Sequence, residues 1–414
     1  MNIKLNLKEF TDLWEKSSTE FCSVNGIIDF NEKLSREEGL VKFSKAMRTD
    51  VDFRKLNSEM REQFIKQFQV NLATFFQNSL NFNQSETAII AQSGLLGITK
   101  EFMLMARRFD PEVNMQDVFQ ASRNLWIINS LQIMMEAPVK LSPSIFAYSM
   151  LYPYSDNYLD DPAVTSEEKL AFSQRFRQRL QGEKVIPANK TEKIIFDLVA
   201  MIESDWDHNK FSGVYESLLG IHDAQTRSIA LISGKQNIPE DVLCSICIEK
   251  GGTSVVADGY LINGTLTDEQ EKFCFGFGAF LQFVDDIQDV TEDSEGELTT
   301  LFTYAASEGC LETYVNKTID FGKVVMGDLS CFSGAVLDEM SSLMIKSNAF
   351  LLNEAVALNS TFFHKQYIEQ FESGSPFRYD FIRKRRSNME SNRISLMKKI
   401  SSFVFDDAEL AMQA

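Results

Sequence analysis

The residues in this 414-residue chain whose types and spacing suit chemistry are aspartates. In Phe283-Val-Asp285-Asp286-Ile-Gln-Asp289-Val-Thr-Glu-Asp293, Asp289 stands four residues after Asp285, three after Asp286 and four before Asp293. On a helix such spacing gathers the carboxylates on one face, within ~6 Å of their neighbours. Like charges this close repel. A solvated helix face tolerates the repulsion, whereas a site for hard cations requires it, because Mg2+ takes oxygen ligands from a few carboxylates and from substrate phosphates. The preceding run Phe275-Gly-Phe-Gly-Ala-Phe-Leu-Gln-Phe-Val is apolar and reads as buried, which favours the metal. A second acidic group, Asp156-Asn-Tyr-Leu-Asp160-Asp161, follows the apolar Ile145-Phe-Ala-Tyr-Ser-Met-Leu-Tyr. Asp161-Pro162 could simply end a helix, yet two carboxylate clusters on two apolar helices can face a shared metal across a bundle. A third feature is Glu249-Lys250-Gly251-Gly252-Thr253-Ser254, where paired glycines are expected to break a helix and free backbone amides beside a lysine. That is either an anion site or an ordinary interhelical connection.

The elements that must position these residues read as helices throughout. With only 8 Pro and 20 Gly, the chain has few of the turns that strands need. Periodicity predicts helices over 50–80, 86–109, 114–135 and 144–160, the last beginning with Ser142 as cap and Pro143 in its first turn. Further helices are expected from 166, then over 191–204, 211–232, 239–249, 253–263, 268–291, 298–307, 311–329 and 334–371. The expected fold is all-α, a single large helical bundle. Residues 1–110 form additional N-terminal helices packed on it, 111–400 the core, and 401–414 a C-terminal tail. The 34 Phe serve either an aromatic core or a cavity lined with rings that could hold an apolar ligand or a cation.

Composition narrows the partners. A formal charge of -18, with no dense basic stripe before Arg383 to Arg386, argues against nucleic acid. No run reaches the ~20 apolar residues of a membrane span, and the first ten residues carry Lys4, Lys8 and Glu9 in place of a secretory core. A cytoplasmic, unprocessed chain is expected. Cys244 and Cys247 lack the second pair or His cluster of a zinc site, and three His leave metal binding to carboxylates.

The order of these motifs resembles the class I isoprenoid synthases, over roughly residues 140 to 330. Gly278-Ala-Phe-Leu-Gln282-Phe-Val-Asp285-Asp286-Ile-Gln-Asp289 is similar to the second aspartate motif of that fold, and Asp156-Asn-Tyr-Leu-Asp160-Asp161 occupies the place of the first. Ala224-Gln225 resembles the glutamine between them, and Lys250 with Thr253 the diphosphate-binding lysine and threonine. The resemblance implies three Mg2+ held by Asp156, Asp160, Asp161, Asp285, Asp286 and Asp289. It also implies a polyprenyl diphosphate substrate contacted by Lys250, Arg227, Gln225, Thr253 and Gln282. The aspartates and Mg2+ would turn diphosphate into a leaving group and leave an allylic carbocation.

Two departures refine the expectation. Chain-elongating relatives carry an Arg-Arg after the first motif, where this chain has Pro162-Ala-Val-Thr-Ser-Glu-Glu. The first motif, without two leading aspartates, is closest in form to the large bacterial terpene synthases. The expected activity is therefore a terpene synthase, a carbon–oxygen lyase that cyclises or quenches the cation. A prenyltransferase of the same fold and a non-catalytic helical protein that binds a polyprenyl chain or a partner are the alternatives. Arg378-Tyr379 resembles an Arg-Tyr pair near the end of many terpene cyclases. Oligomeric state stays open, a homodimer being frequent in such enzymes.

Overall fold

A computed structural model describes residues 1–23, 26–47, 57–92, 94–161, 163–232 and 238–391, and among them every regular element is a helix. The chain is all-α. It runs α1 (Ile3–Lys16), α2 (Phe30–Met47), α3 (Ser58–Leu80), α4 (Gln84–Gln92), α5 (Leu95–Phe109), α6 (Met115–Ser122) and α7 (Asn124–Met134). Then come α8 (Pro143–Asp160), α9 (Ser166–Leu180), α10 (Lys190–Asp205), α11 (Ser212–Ile232), α12 (Glu240–Asn263) and α13 (Asp268–Gln288). The last are α14 (Val290–Glu295), α15 (Leu301–Ser307), α16 (Leu311–Met326), α17 (Leu337–Leu358), α18 (Lys365–Ser373) and α19 (Tyr379–Ser391).

Local signals start several of these helices where expected. Ser142 Oγ accepts the Ile145 amide at 3.2 Å with Pro143 in the first turn of α8. At α9, Thr165 Oγ1 accepts the Glu168 amide at 3.3 Å while Glu168 Oε2 accepts the Thr165 amide at 2.9 Å, a reciprocal cap.

Elsewhere the helices depart from expectation. The spans 86–109 and 114–135 are each divided, into α4 and α5 and into α6 and α7. Most consequentially, the expected break at Gly251-Gly252 does not occur, and α12 runs through both glycines without interruption. Packing overrides propensity there. A Cβ on Gly251 would meet the Gly278 carbonyl oxygen at 2.3 Å, one on Gly278 the Gly251 oxygen at 2.1 Å, and one on Gly252 the Phe275 ring at 2.7 Å. The glycines let α12 and α13 cross backbone to backbone, which offsets their helix cost of about 1 kcal/mol each.

The chain divides into two compact units. The first comprises residues 1–20, 117–286 and 290–337, the second 21–116, 287–289 and 338–414. The expected boundary at 110 thus falls inside the second unit, and the first twenty residues belong to the first. Helix α1 packs on α12 and α16 and sends Trp14, 2% exposed, among the rings of Phe283 (centroids 4.4 Å apart), Tyr314 (5.9 Å) and Phe302 (6.3 Å). Phe10 stacks on Phe275 at 5.8 Å, over Gly276. Phe275, Phe280, Phe283, Phe302 and Phe321 are all fully buried, so these rings go into core packing.

In the second unit α2 packs on α3, with Phe43 stacked on Phe75 at 5.0 Å. Arg378 donates to the buried Glu37 from its backbone amide (2.9 Å), from Nε to both carboxylate oxygens (2.9 and 3.1 Å) and from Nη2 (2.6 Å), and Tyr379 is buried with its hydroxyl 3.4 Å from Asn353 Oδ1. Arg378-Tyr379 is therefore engaged within that unit. The expected tail 401–414 lies outside the described residues. No helix among the described residues is long and apolar enough to cross a membrane.

Candidate functional site

Four helices of the first unit bring the charged groups together. Asp156 lies in the last turn and a half of α8, Gln225 and Arg227 on α11, Lys250 on α12, and Asp285 and Asp286 near the end of α13. Burial works to lower the Lys250 pKa, but Asp286, Asp156 and Asp285 together outweigh it and raise it. One ammonium thus answers to carboxylates from both acidic motifs. Gln225 Nε2 donates to Asp156 Oδ1 at 3.2 Å, so the glutamine between the motifs orients the first of them.

Asp286 is held most tightly. Gln282 Nε2 donates to its Oδ1 at 2.7 Å and the Cys247 thiol to its Oδ2 at 3.1 Å. Burial pushes its carboxyl up to about 6, against Lys250 and these two donors and with help from Asp285. Burial keeps the Cys247 thiol protonated, with Asp286 adding to the effect, so it serves as a donor and not as a thiolate. Asp293 on α14 is pushed up to about 6 by burial and by Asp286, with Lys250 opposing.

The remaining expected residues take other places. Asp289 is exposed at a bend that separates α13 from α14, so the helix expected through Thr291 is interrupted. Asn359 stabilises the bend, its Nδ2 donating to the Ile287 carbonyl at 2.9 Å and the Gln288 carbonyl at 3.0 Å, groups a continuous helix would have satisfied itself. Asp161 is exposed at the C-cap of α8, and Asp160 is that helix's last residue, its side chain outside the described set. Thr253 is buried, its hydroxyl donating to the Glu249 carbonyl at 2.7 Å. With α12 unbroken, no freed amides flank Lys250. Arg227 is ion-paired with Glu249, one residue before Lys250.

Sequence reading missed three participants. Cys247 precedes Lys250 by one helical turn, a relation hidden by the expected helix break nearby. Glu249 was passed over for the same reason. Arg123, between α6 and α7, reaches to 3.8 Å from Asp285 Oδ1, a contact with no local signal.

Three carboxylates act on Lys250, with Arg123 also near Asp285, and their oxygens are hard donors of the kind that suits Mg2+. Among the described residues no three His, Cys, Asp or Glu stand close enough to hold an ion together. Mg2+ does not demand such a cage, since it keeps several waters and takes one or two carboxylates plus substrate phosphates. Asp156, Asp285 and Asp286, all acting on Lys250, are of the kind that suits the ion. The chain matches no protein-family model and no curated protein.

Proposed function

We propose that this protein is a Mg2+-dependent class I terpene synthase that ionises a linear polyprenyl diphosphate and cyclises or quenches the resulting carbocation. The observation that carries this reading is the sharing of Lys250 by carboxylates from two motifs 129 residues apart, Asp156 and Asp285, together with Asp286. A diphosphate needs both cations and a countercharge at one place.

In this mechanism Asp156, Asp285 and Asp286 would hold Mg2+. Bound magnesium supplies Lewis-acid stabilisation of the leaving diphosphate. Lys250 balances negative charge on the phosphates as the allylic C–O bond breaks and its electron pair leaves with diphosphate. Gln225 holds Asp156, while Gln282 and Cys247 hold Asp286, which would keep both carboxylates oriented to take an ion. Arg227 would have to leave Glu249 to reach the substrate.

Purified protein incubated with C10 to C25 prenyl diphosphates, with and without Mg2+, tests the proposal through diphosphate release and mass spectrometry of extracted hydrocarbons. Mg2+-dependent release with a terpene product is expected. No release from any chain length would overturn it. A longer diphosphate formed only with added isopentenyl diphosphate would identify a prenyltransferase in its place.

A further inference from the structure

Arg123 stands beside the proposed metal site and has no part in the mechanism above. It joins α6 to α7, its amide donating to the Gln120 carbonyl at 3.1 Å and its own carbonyl accepting the Trp126 amide at 3.2 Å. The backbone on either side is pinned. On α6, Asp117 Oδ2 accepts from Asn157 Nδ2 of α8 at 3.4 Å. On α7, Asn124 Nδ2 donates to Oδ1 of the fully buried Asp258 of α12 at 2.9 Å and to Ser149 Oγ of α8 at 3.3 Å. The Arg123 side chain is held far less. It is 64% exposed, and its Nη2 stands 3.8 Å from Asp285 Oδ1, beyond hydrogen-bond distance, on a carboxylate that is itself 48% exposed.

An ion pair this loose and this open to water contributes little to folding. What distinguishes it is the carboxylate it attends. Asp285 also acts on Lys250, so a sheltered ammonium and an open guanidinium share one acid. A hard cation binds the carboxylate oxygen itself, and a guanidinium set against that oxygen opposes its entry. Arg123 can yield by turning into solvent, because its exposed head group gives up no buried bond in doing so. Magnesium holds its oxygen ligands at about 2 Å in an octahedron, which puts neighbouring ligand oxygens ~3 Å apart. A phosphate oxygen on the same ion as Asp285 would therefore come close to where the guanidinium now stands. The planar fork of arginine matches such oxygens in pairs, which an ammonium does not.

We propose that Arg123 is a resident counter-cation of Asp285, displaced when Mg2+ binds and then transferred to the diphosphate carried by that ion. For the diphosphate this rests on the terpene synthase reading. The exchange breaks no covalent bond and moves no proton, since the guanidinium stays charged throughout. It has a signature in two opposite signs. Arg123 competes with Mg2+ for the empty site and supports the same ion once diphosphate accompanies it. The arginine thereby disfavours a site loaded with metal alone and favours one loaded with metal and substrate together. A residue that merely shaped the site would move both affinities in one direction.

Titration calorimetry of the full chain reads both signs, with Mg2+ alone and then with inorganic pyrophosphate at saturating Mg2+. Arg123→Gln should bind Mg2+ alone about fivefold more tightly than wild type, the size of one unit charge at 3.8 Å in a water-like dielectric. It should bind pyrophosphate about tenfold more weakly, the loss of a contact between charged groups. Arg123→Lys keeps the charge without the fork, so it should match wild type for Mg2+ and still bind pyrophosphate more weakly. In an Asp285→Asn background, Arg123→Gln should no longer alter Mg2+ binding. Equal Mg2+ affinity in wild type and Arg123→Gln overturns the proposal, as does undiminished pyrophosphate binding or a weakening of both ligands. If Arg123→Gln does not fold, the pyrophosphate affinity of Arg123→Lys decides. Opposite shifts in a protein that releases no diphosphate from C10 to C25 prenyl substrates would end the terpene synthase reading and leave the exchange standing. A wild-type chain that binds neither Mg2+ nor pyrophosphate overturns both.

Discussion

Replacing Gly278 by alanine sets two physical effects against each other. Helix propensity alone predicts stabilisation, because alanine in a helix interior is favoured over glycine by about 1 kcal/mol. At the α12–α13 crossing, however, the new Cβ would sit 2.1 Å from the Gly251 carbonyl oxygen, more than 1 Å inside ordinary van der Waals contact. The obstacle is backbone, so no rotamer change relieves it, and the helices must separate. Overpacking costs ~1–3 kcal/mol, and a rigid contact belongs near the upper end. After the propensity gain, a net loss of about 2 kcal/mol remains, a fall in melting temperature of roughly 4–8 °C for a unit of this size. Gly97 on α5 has no atom within 4 Å of its virtual Cβ, so Gly97→Ala isolates the propensity effect and should be neutral or stabilising. Because Gly251 adjoins Lys250, separation of the helices should also draw the ammonium away from Asp286 and reduce turnover beyond the loss of folded protein. Urea denaturation and circular-dichroism melts of both variants provide the measurement. A Gly278→Ala protein as stable as wild type, or more so, would refute the close crossing and the explanation for the unbroken α12.

Asp286→Asn and Asp156→Asn should each lower turnover by ~10²-fold or more while circular dichroism stays unchanged, the size expected for losing a group that stabilises charge at the reacting centre. Near-normal rates would remove that residue from the proposed metal site. Because burial raises the Asp286 pKa, its ionised form costs stability, so the asparagine variant should melt no lower than wild type at neutral pH. Thr253→Val should leave the Michaelis constant for a prenyl diphosphate unchanged, since its hydroxyl is bonded to the Glu249 carbonyl, at a cost of ~1 kcal/mol in denaturation. A large rise in that constant would return the hydroxyl to the substrate. Asp258 has a folded pKa raised above its unfolded value, so the folded state binds the extra proton. Its contribution is intact below about pH 4, the unfolded value, and is lost as pH rises toward the folded one. Denaturation of wild type and Asp258→Asn across that range should show the decline in wild type alone, and parallel curves would contradict it.

Helical class, several helix starts and the acidic motifs were readable in the amino-acid order because each depends on residues within a turn or two of one another. Ser142 with Pro143 and Thr165 with Glu168 satisfy the first amides of α8 and α9 wherever those helices pack. Asp285 beside Asp286, and Gln282 one turn before, likewise fall on neighbouring positions by helical geometry. Position along the chain was silent where distant segments decide. The cost of Gly251 and Gly252 is local, but the benefit comes from Gly278 and Phe275 on another helix. The bend at Asp289 is satisfied by Asn359, seventy residues on, and Trp14 joins Phe283 and Tyr314 from the other end of the chain. Arg123 reaches Asp285, and Cys247 reaches Asp286, only because separate helices cross there. Hydrogen bonds and charge pairs depend on separation in space, and for residues more than a few turns apart that separation is set by how helices pack.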